Sequence, residues 1–113
     1  VGFCWGGTLA FLANTRLALS AVSYYGARTV PFLDEPLQAP MLFQFGAGDA
    51  AIPPEDIERH RSAQPDAELL VHPGGHGFNR DVDPDHYHAA SAAAARRATL
   101  AFLDAALRQD ATP

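Results

Sequence analysis

A thiol, a carboxylate and an imidazole stand where this sequence could use them for chemistry: Cys4, Asp49 and His76. Cys4 lies in Gly2-Phe3-Cys4-Trp5-Gly6-Gly7, a Gly-x-Cys-x-Gly pattern followed by the helix-compatible run Thr8-Leu9-Ala10-Phe11-Leu12-Ala13. A strand, one sharp turn and a helix make a nucleophile elbow, which lifts its apical side chain clear of a sheet. Gly2 and Gly6 are expected to leave room where backbone segments crowd, with Cys4 tolerating strained dihedrals at the apex. A helix start offers unpaired N–H groups and partial positive charge, which favour a thiolate. The Trp5 N–H could point at the oxygen of a tetrahedral intermediate, serving as an oxyanion donor. An inert interior cysteine is the competing reading, because free Cys is usually buried. The elbow therefore needs a base and an orienting acid further along the chain.

The elements expected to position these groups alternate between strand and helix. Residues 7–15 read as helix and residues 21–25 as a short apolar strand stopped by Gly26. Residues 27–40 carry Pro31, Pro36 and Pro40 and read as a connection, with one helical turn around 32–37. Met41-Leu42-Phe43-Gln44-Phe45 is the second strand, and the turn Gly46-Ala47-Gly48-Asp49 leaves a carboxylate just past its end. Pro53 or Pro54 opens a helix running toward Ala63, with Glu55 and Asp56 in its first turn. Residues 67–71 form the third strand candidate, and Pro73-Gly74-Gly75 then delivers His76. Asp83 or Asp85 is expected to cap a long helix reaching about Leu107. The alternation predicts an α/β fold with a parallel sheet and flanking helices. Cys4, Asp49 and His76 each follow an apolar strand, on the rim where such sheets place their sites.

Composition narrows the function. The 113 residues allow one domain, and 48% hydrophobic with 19% charged residues suits a folded chain. A net charge of -5, with Arg96-Arg97 as the one basic pair, gives nucleic-acid or anionic-membrane binding little support. No run reaches the length of a membrane span. A single cysteine forms no intrachain disulfide and is compatible with a reducing compartment, so a cytoplasmic location is expected. The residues from Arg108 to Pro113 taper off like a terminus, whereas Val1 falls inside what reads as a buried strand. Upstream sequence is therefore expected, either as a missing amino-terminal half or as a partner chain that completes the sheet.

With these groups placed, the sequence resembles the dienelactone hydrolase family of the α/β-hydrolase fold. The resemblance rests on Gly2-Phe3-Cys4-Trp5-Gly6-Gly7, Tyr24-Tyr25-Gly26, Gly46-Ala47-Gly48-Asp49 and Gly75-His76-Gly77-Phe78, in that order across nearly the whole chain. It implies that residues 1–113 are the carboxyl-terminal portion of one hydrolase domain, a partial parallel sheet without its amino-terminal half. It implies Cys4 as nucleophile, Asp49 as triad acid and His76 as general base. It also implies Arg80 near an anionic substrate group.

The chemistry so implied is cleavage of an ester or lactone. Thiolate Cys4 attacks the carbonyl, His76 handles the proton, Asp49 orients the imidazole, and water hydrolyses the thioester. No metal or organic cofactor is required. Trp5 and Tyr24 join Arg80 as candidate substrate contacts, although both tyrosines also read as packing residues of which one hydroxyl could reach the pocket. Asp49 could instead end a turn, His76 could cap local backbone, and Arg80 could pair with Asp81 or Asp83. A broad carboxylesterase on the same scaffold is the enzymatic alternative, and a non-catalytic assembly piece the other. The His72/His76 and His86/His88 pairs lack a zinc-protease pattern. The acidic run from Asp81 lacks the glycine and the closing carboxylate of a calcium loop.

Overall fold

The Met41-Leu42-Phe43-Gln44-Phe45 run is almost wholly apolar on both sides of its pleat, and such a strand needs cover on both faces. The computed structural model, which describes residues 1–111, supplies that cover. Four parallel strands form one sheet in the order β1 (Gly2–Phe3), β2 (Ala21–Tyr24), β3 (Met41–Gly46), β4 (Glu68–His72). The helices are α1 (Trp5–Leu17), α2 (Pro54–Ala63) and α3 (Ala89–Ala111). Register is set by Ala21 against Met41 and by Gln44 against both Tyr24 and Leu70. Every residue of β2 and β3 is buried.

One face of the sheet packs on α1 and α2: the Phe43 ring lies 5.8 Å from Phe11 and 5.0 Å from His60. The opposite face packs on α3 through polar groups. Gln44 Nε2 donates to the Ala95 carbonyl at 2.8 Å and to Thr99 Oγ1 at 3.1 Å. Tyr24 Oη and Thr99 Oγ1 are 2.7 Å apart, and His72 Nε2 donates to Gln44 Oε1. Buried polar groups satisfied in this way fix helix against sheet more specifically than apolar contact does. At its outer edge β1 has no neighbour among the described residues, and Val1 and Phe3 are exposed there, as are Leu9 and Leu17 on α1. No helix is long and apolar enough to cross a membrane among the described residues.

Three boundaries differ from the sequence expectation. α1 continues to Leu17 because Ala18 takes a left-handed conformation (φ 57°) and closes the helix on the carbonyls of Ala13 and Asn14. The helical turn expected around 32–37 is a 3-10 turn at Val30–Phe32, since Glu35 is drawn to Arg16 and Thr15 of α1. The long helix starts at Ala89, so neither Asp83 nor Asp85 caps it. Asp83 is bonded to His86, and the amide of Ser91 is capped by His88 Nδ1. Thr112 and Pro113, in the segment expected to taper off, lie outside the described residues.

Buried His60 and half-buried His72 should make the fold acid-sensitive. His60, 1% exposed, donates from Nδ1 to the Asp56 carbonyl at 2.7 Å and leaves Nε2 without a partner among the described residues. Burial lowers the pKa of His60 and of His72 from the ordinary 6.5. The unfolded chain then binds more protons than the folded one, so stability is complete above pH ~6.5 and falls as pH drops below it. Urea midpoints should decline between neutral pH and pH ~5.5. His60→Leu should flatten that decline, and an unchanged slope would remove His60 from the account.

Candidate active site

The turn between β1 and α1 is built by glycines that permit contact between backbones. Cys4 adopts φ 55° and ψ −123°, a strained conformation for a residue with a side chain. Its N–H donates to the Tyr24 carbonyl at 3.0 Å, and its carbonyl accepts from Gly7 N–H at 2.9 Å. A Cβ on Gly2 would stand 1.8 Å from the Gly6 carbonyl oxygen, and one on Gly7 would stand 2.7 Å from Ser23 Oγ. A Cβ on Gly6 meets nothing within 4 Å, so the crowding expected there falls on Gly7 instead. Gly2→Ala should lower stability by ~3 kcal/mol or more, because the clash is with backbone. Gly6→Ala, in an open helical position, should be neutral or stabilising. Paired urea unfolding curves would test the contrast, and equal losses would refute it.

The carboxylate and the imidazole are brought together by two loops stitched along their backbones. Ala47 N–H donates to the His72 carbonyl at 2.7 Å, and Gly48 N–H to the Gly74 carbonyl at 2.9 Å. A Cβ on Gly46 would stand 2.6 Å from the Gly74 carbonyl oxygen, so the approach requires glycine. His76 Nδ1 donates to Asp49 Oδ2 at 2.8 Å, while Asp49 Oδ1 accepts from Ala51 N–H at 2.8 Å. The Asp49 side chain is wholly buried and that of His76 is 35% exposed. Both carboxylate oxygens are therefore occupied, and His76 Nε2 is left free to exchange a proton.

Cys4 and His76 line one cavity of about 390 Å3, together with Trp5, Ala27 and Arg28. No hydrogen bond joins Sγ to the imidazole in this arrangement. Catalytic hydrogen bonds in unliganded sites are often open and tighten around substrate. Burial pushes the Cys4 thiol up, the Arg80 guanidinium pulls it partly back, and Asp49 pushes it up again. Burial is the largest of these influences, so the thiol is harder to ionise than a helix start alone would suggest. The Trp5 N–H is the first amide of α1 and has no backbone acceptor among the described residues. A wider groove of about 690 Å3 between the 3-10 turn and α2 has Ser62, Glu55 and Glu58 on its wall, with no cysteine or histidine among its lining residues.

The remaining candidates separate. Arg80 is exposed, makes no ion pair with Asp81 or Asp83 within 4.0 Å, and lies close enough to Cys4 to act on its thiol. Tyr24 faces away: its hydroxyl is committed to Thr99 under α3, so it does not reach the cavity as a substrate contact. The tyrosine at the site is Tyr25, whose ring lies 5.3 Å from that of His76. Arg28 escaped the sequence reading. Its amide is held by Thr8 Oγ1 at 3.2 Å, and Thr8 is itself bonded to Thr29, which fixes this loop beside the elbow. A Thr-rich tether is too common a pattern to have marked it. Among the described residues no group of three or more His, Cys, Asp or Glu is arranged to hold a metal ion.

Comparison with known proteins places this geometry among relatives. The model of the "Dienelactone hydrolase family" matches residues 1–107. A "Putative carboxymethylenebutenolidase" of Escherichia coli (strain K12) is 40% identical, over 80% of this chain and 40% of that protein. "Carboxymethylenebutenolidase 1" of Cupriavidus pinatubonensis is 33% identical, over 91% of this chain and 46% of that protein. The crystal structure of a "Putative Dienelactone Hydrolase" from Klebsiella pneumoniae superposes with a TM-score of 0.83 at 32% identity, covering 91% of this chain and 50% of that one. The chain thus spans about half the length, or less, of the proteins it matches.

Proposed function

Because the chain belongs to the dienelactone hydrolase family, we propose that it carries the catalytic triad of an ester or lactone hydrolase, with Cys4 as nucleophile, His76 as base and Asp49 as its orienting acid. The observation that supports this most is the buried Asp49 bonded to His76 Nδ1 at 2.8 Å, with the free side of the ring on the cavity that Cys4 lines. In this reading Nε2 takes the thiol proton as Sγ attacks the carbonyl. Asp49 holds the Nδ1–H tautomer and stabilises the imidazolium that forms. The Trp5 N–H donates to the oxyanion. Collapse expels the alkoxide, which takes the proton from His76 and stays tethered when the substrate is a lactone. Water deprotonated by Nε2 then attacks the thioester, the tetrahedral intermediate collapses to carboxylate, and the proton returns to sulfur.

The substrate proposed is a small ester or lactone bearing an acid group. The relatives' name describes a butenolide with a carboxylate arm, and Arg80, whose charge acts on Cys4, is proposed to meet such an arm. The Trp5 ring, 58% exposed at the cavity, is proposed as its apolar wall. The open edge of β1, with Val1 and Phe3 exposed, is proposed to pair with further strands of the same hydrolase domain, in this polypeptide or a partner chain. A lone reduced thiol nucleophile fits a reducing compartment such as the cytoplasm. Acid-quenching the assembled protein during turnover should trap an acyl group on Cys4, read by peptide mass spectrometry. Turnover of an ester that never acylates Cys4 would sink the proposal and favour another role for this chain.

A further inference from the structure

Tyr25 occupies a conformation that a bulky side chain avoids. Its φ is 41°, at the end of β2, where its N–H donates to the Gln44 carbonyl at 2.7 Å. Glycine enters this region without steric penalty and a tyrosine does not, so a strained aromatic residue here calls for a compensating role. The side chain is 2% exposed and meets the histidine loop twice. Its ring centroid lies 5.3 Å from that of His76 at 63° and 5.2 Å from that of Phe78 at 74°. The loop therefore straddles the tyrosine. At the far end of the ring, the hydroxyl lies near the Asn79 backbone and within the fields of Cys4 and Arg80. Burial first, and then proximity to Cys4, push its pKa up to about 12, so it stays a neutral hydroxyl that accepts from the Asn79 backbone. The backbone one residue earlier belongs to the same device, because the Tyr24 carbonyl receives the Cys4 N–H at 3.0 Å.

We propose that Tyr25 is a positioning residue: its ring seats the His76 imidazole and its hydroxyl end sets the Asn79–Arg80 backbone, so that base and cation are both registered to the Cys4 elbow through one strained side chain. The proposal rests on the hydrolase reading of Cys4 and His76. It extends that reading by making the two halves of the site separable in Tyr25. Removing the ring frees His76 from its seat, whereas removing the hydroxyl alone loosens the Arg80 segment and leaves the seat in place.

Tyr25→Leu, Tyr25→Phe and Arg80→Ala should be compared in the assembled protein on a neutral ester and its carboxylate-bearing analogue. Tyr25→Leu should lower kcat on both esters by roughly 10-fold, since small displacements of a catalytic group cost that much or more. It should also displace the pH profile of Cys4 alkylation by iodoacetamide, a readout that needs no turnover. Tyr25→Phe should cost kcat far less and raise KM several-fold for the anionic ester alone, in the direction of Arg80→Ala. The proposal is overturned if Tyr25→Leu lowers only the urea midpoint and leaves kcat and the alkylation profile intact. It is equally overturned if Tyr25→Phe raises KM alike for both esters. Should Cys4→Ala keep full hydrolysis, the hydrolase reading fails, while the alkylation profile of Tyr25→Leu still reports whether the ring seats His76.

Discussion

Replacing Cys4 with alanine should reduce ester and lactone hydrolysis by the assembled protein by ~10^4-fold or more, to the level left by binding and the oxyanion donor alone. The loss would be chemical. Cys4 is partly exposed and its side chain makes no hydrogen bond among the described residues, so alanine removes little packing. Alanine meets the same penalty at φ 55° as cysteine does, and the elbow should keep its shape. The size of the effect follows from what sulfur does there: without it no thioester forms, and His76 has only water to activate. Because burial raises the thiol pKa, activity should depend on proton transfer from Cys4 to His76. Initial rates on paired esters, with near-ultraviolet circular dichroism to confirm the fold, would check this. A folded variant with parental turnover would remove Cys4 from the mechanism.

Asp49→Asn should lower kcat by ~10^2- to 10^4-fold, the second largest effect expected. Both oxygens of Asp49 accept hydrogen bonds, one from Ala51 N–H and one from His76 Nδ1. An asparagine offers one oxygen and one NH2. The amide of Ala51 cannot reverse its role, so the oxygen of the substituted side chain must face it and the NH2 must face His76. Nδ1 then becomes the acceptor and Nε2 carries the hydrogen, which takes the base away from the side where it is needed. The substitution leaves volume unchanged and every buried polar atom paired, so stability should change little. A pH–rate profile with urea unfolding separates the two effects. Turnover equal to the parent would show that imidazole orientation does not depend on Asp49.

The sheet could be read from the chain because parallel strands covered on both faces leave largely apolar runs, and residues 21–24 and 41–46 are such runs, each interrupted by one polar residue, Ser23 or Gln44. Cys4, Asp49 and His76 were legible for a related reason. Each stands just past a strand, among glycines that few other structural roles require. Tyr24 and Tyr25 were not separable, because strand alternation alone does not say which of two adjacent aromatics turns toward a site. That choice is made by the φ of 41° at Tyr25 and by Thr99, distant in sequence, which claims the Tyr24 hydroxyl. The start of α3 was misplaced because Asp83 looks like a cap, whereas residues 79–88 fold back and His88 N–H donates to the Phe78 carbonyl at 2.9 Å. The upward pull of burial on the thiol was not legible, because a helix start is visible in sequence and desolvation is not.

The backbone stitching between the loops after β3 and β4 has a further consequence. With Ala47 tied to His72 and Gly48 to Gly74, the carboxylate and the imidazole are mechanically one block, and strain applied to either loop is shared by both. Compliance in the cavity is left to the opposite wall, where Trp5, Ala27 and Arg28 stand on the elbow and the loop after β2. Under the proposed hydrolase reading, substitutions at those three positions should change which acyl groups fit and leave the Asp49–His76 pair aligned.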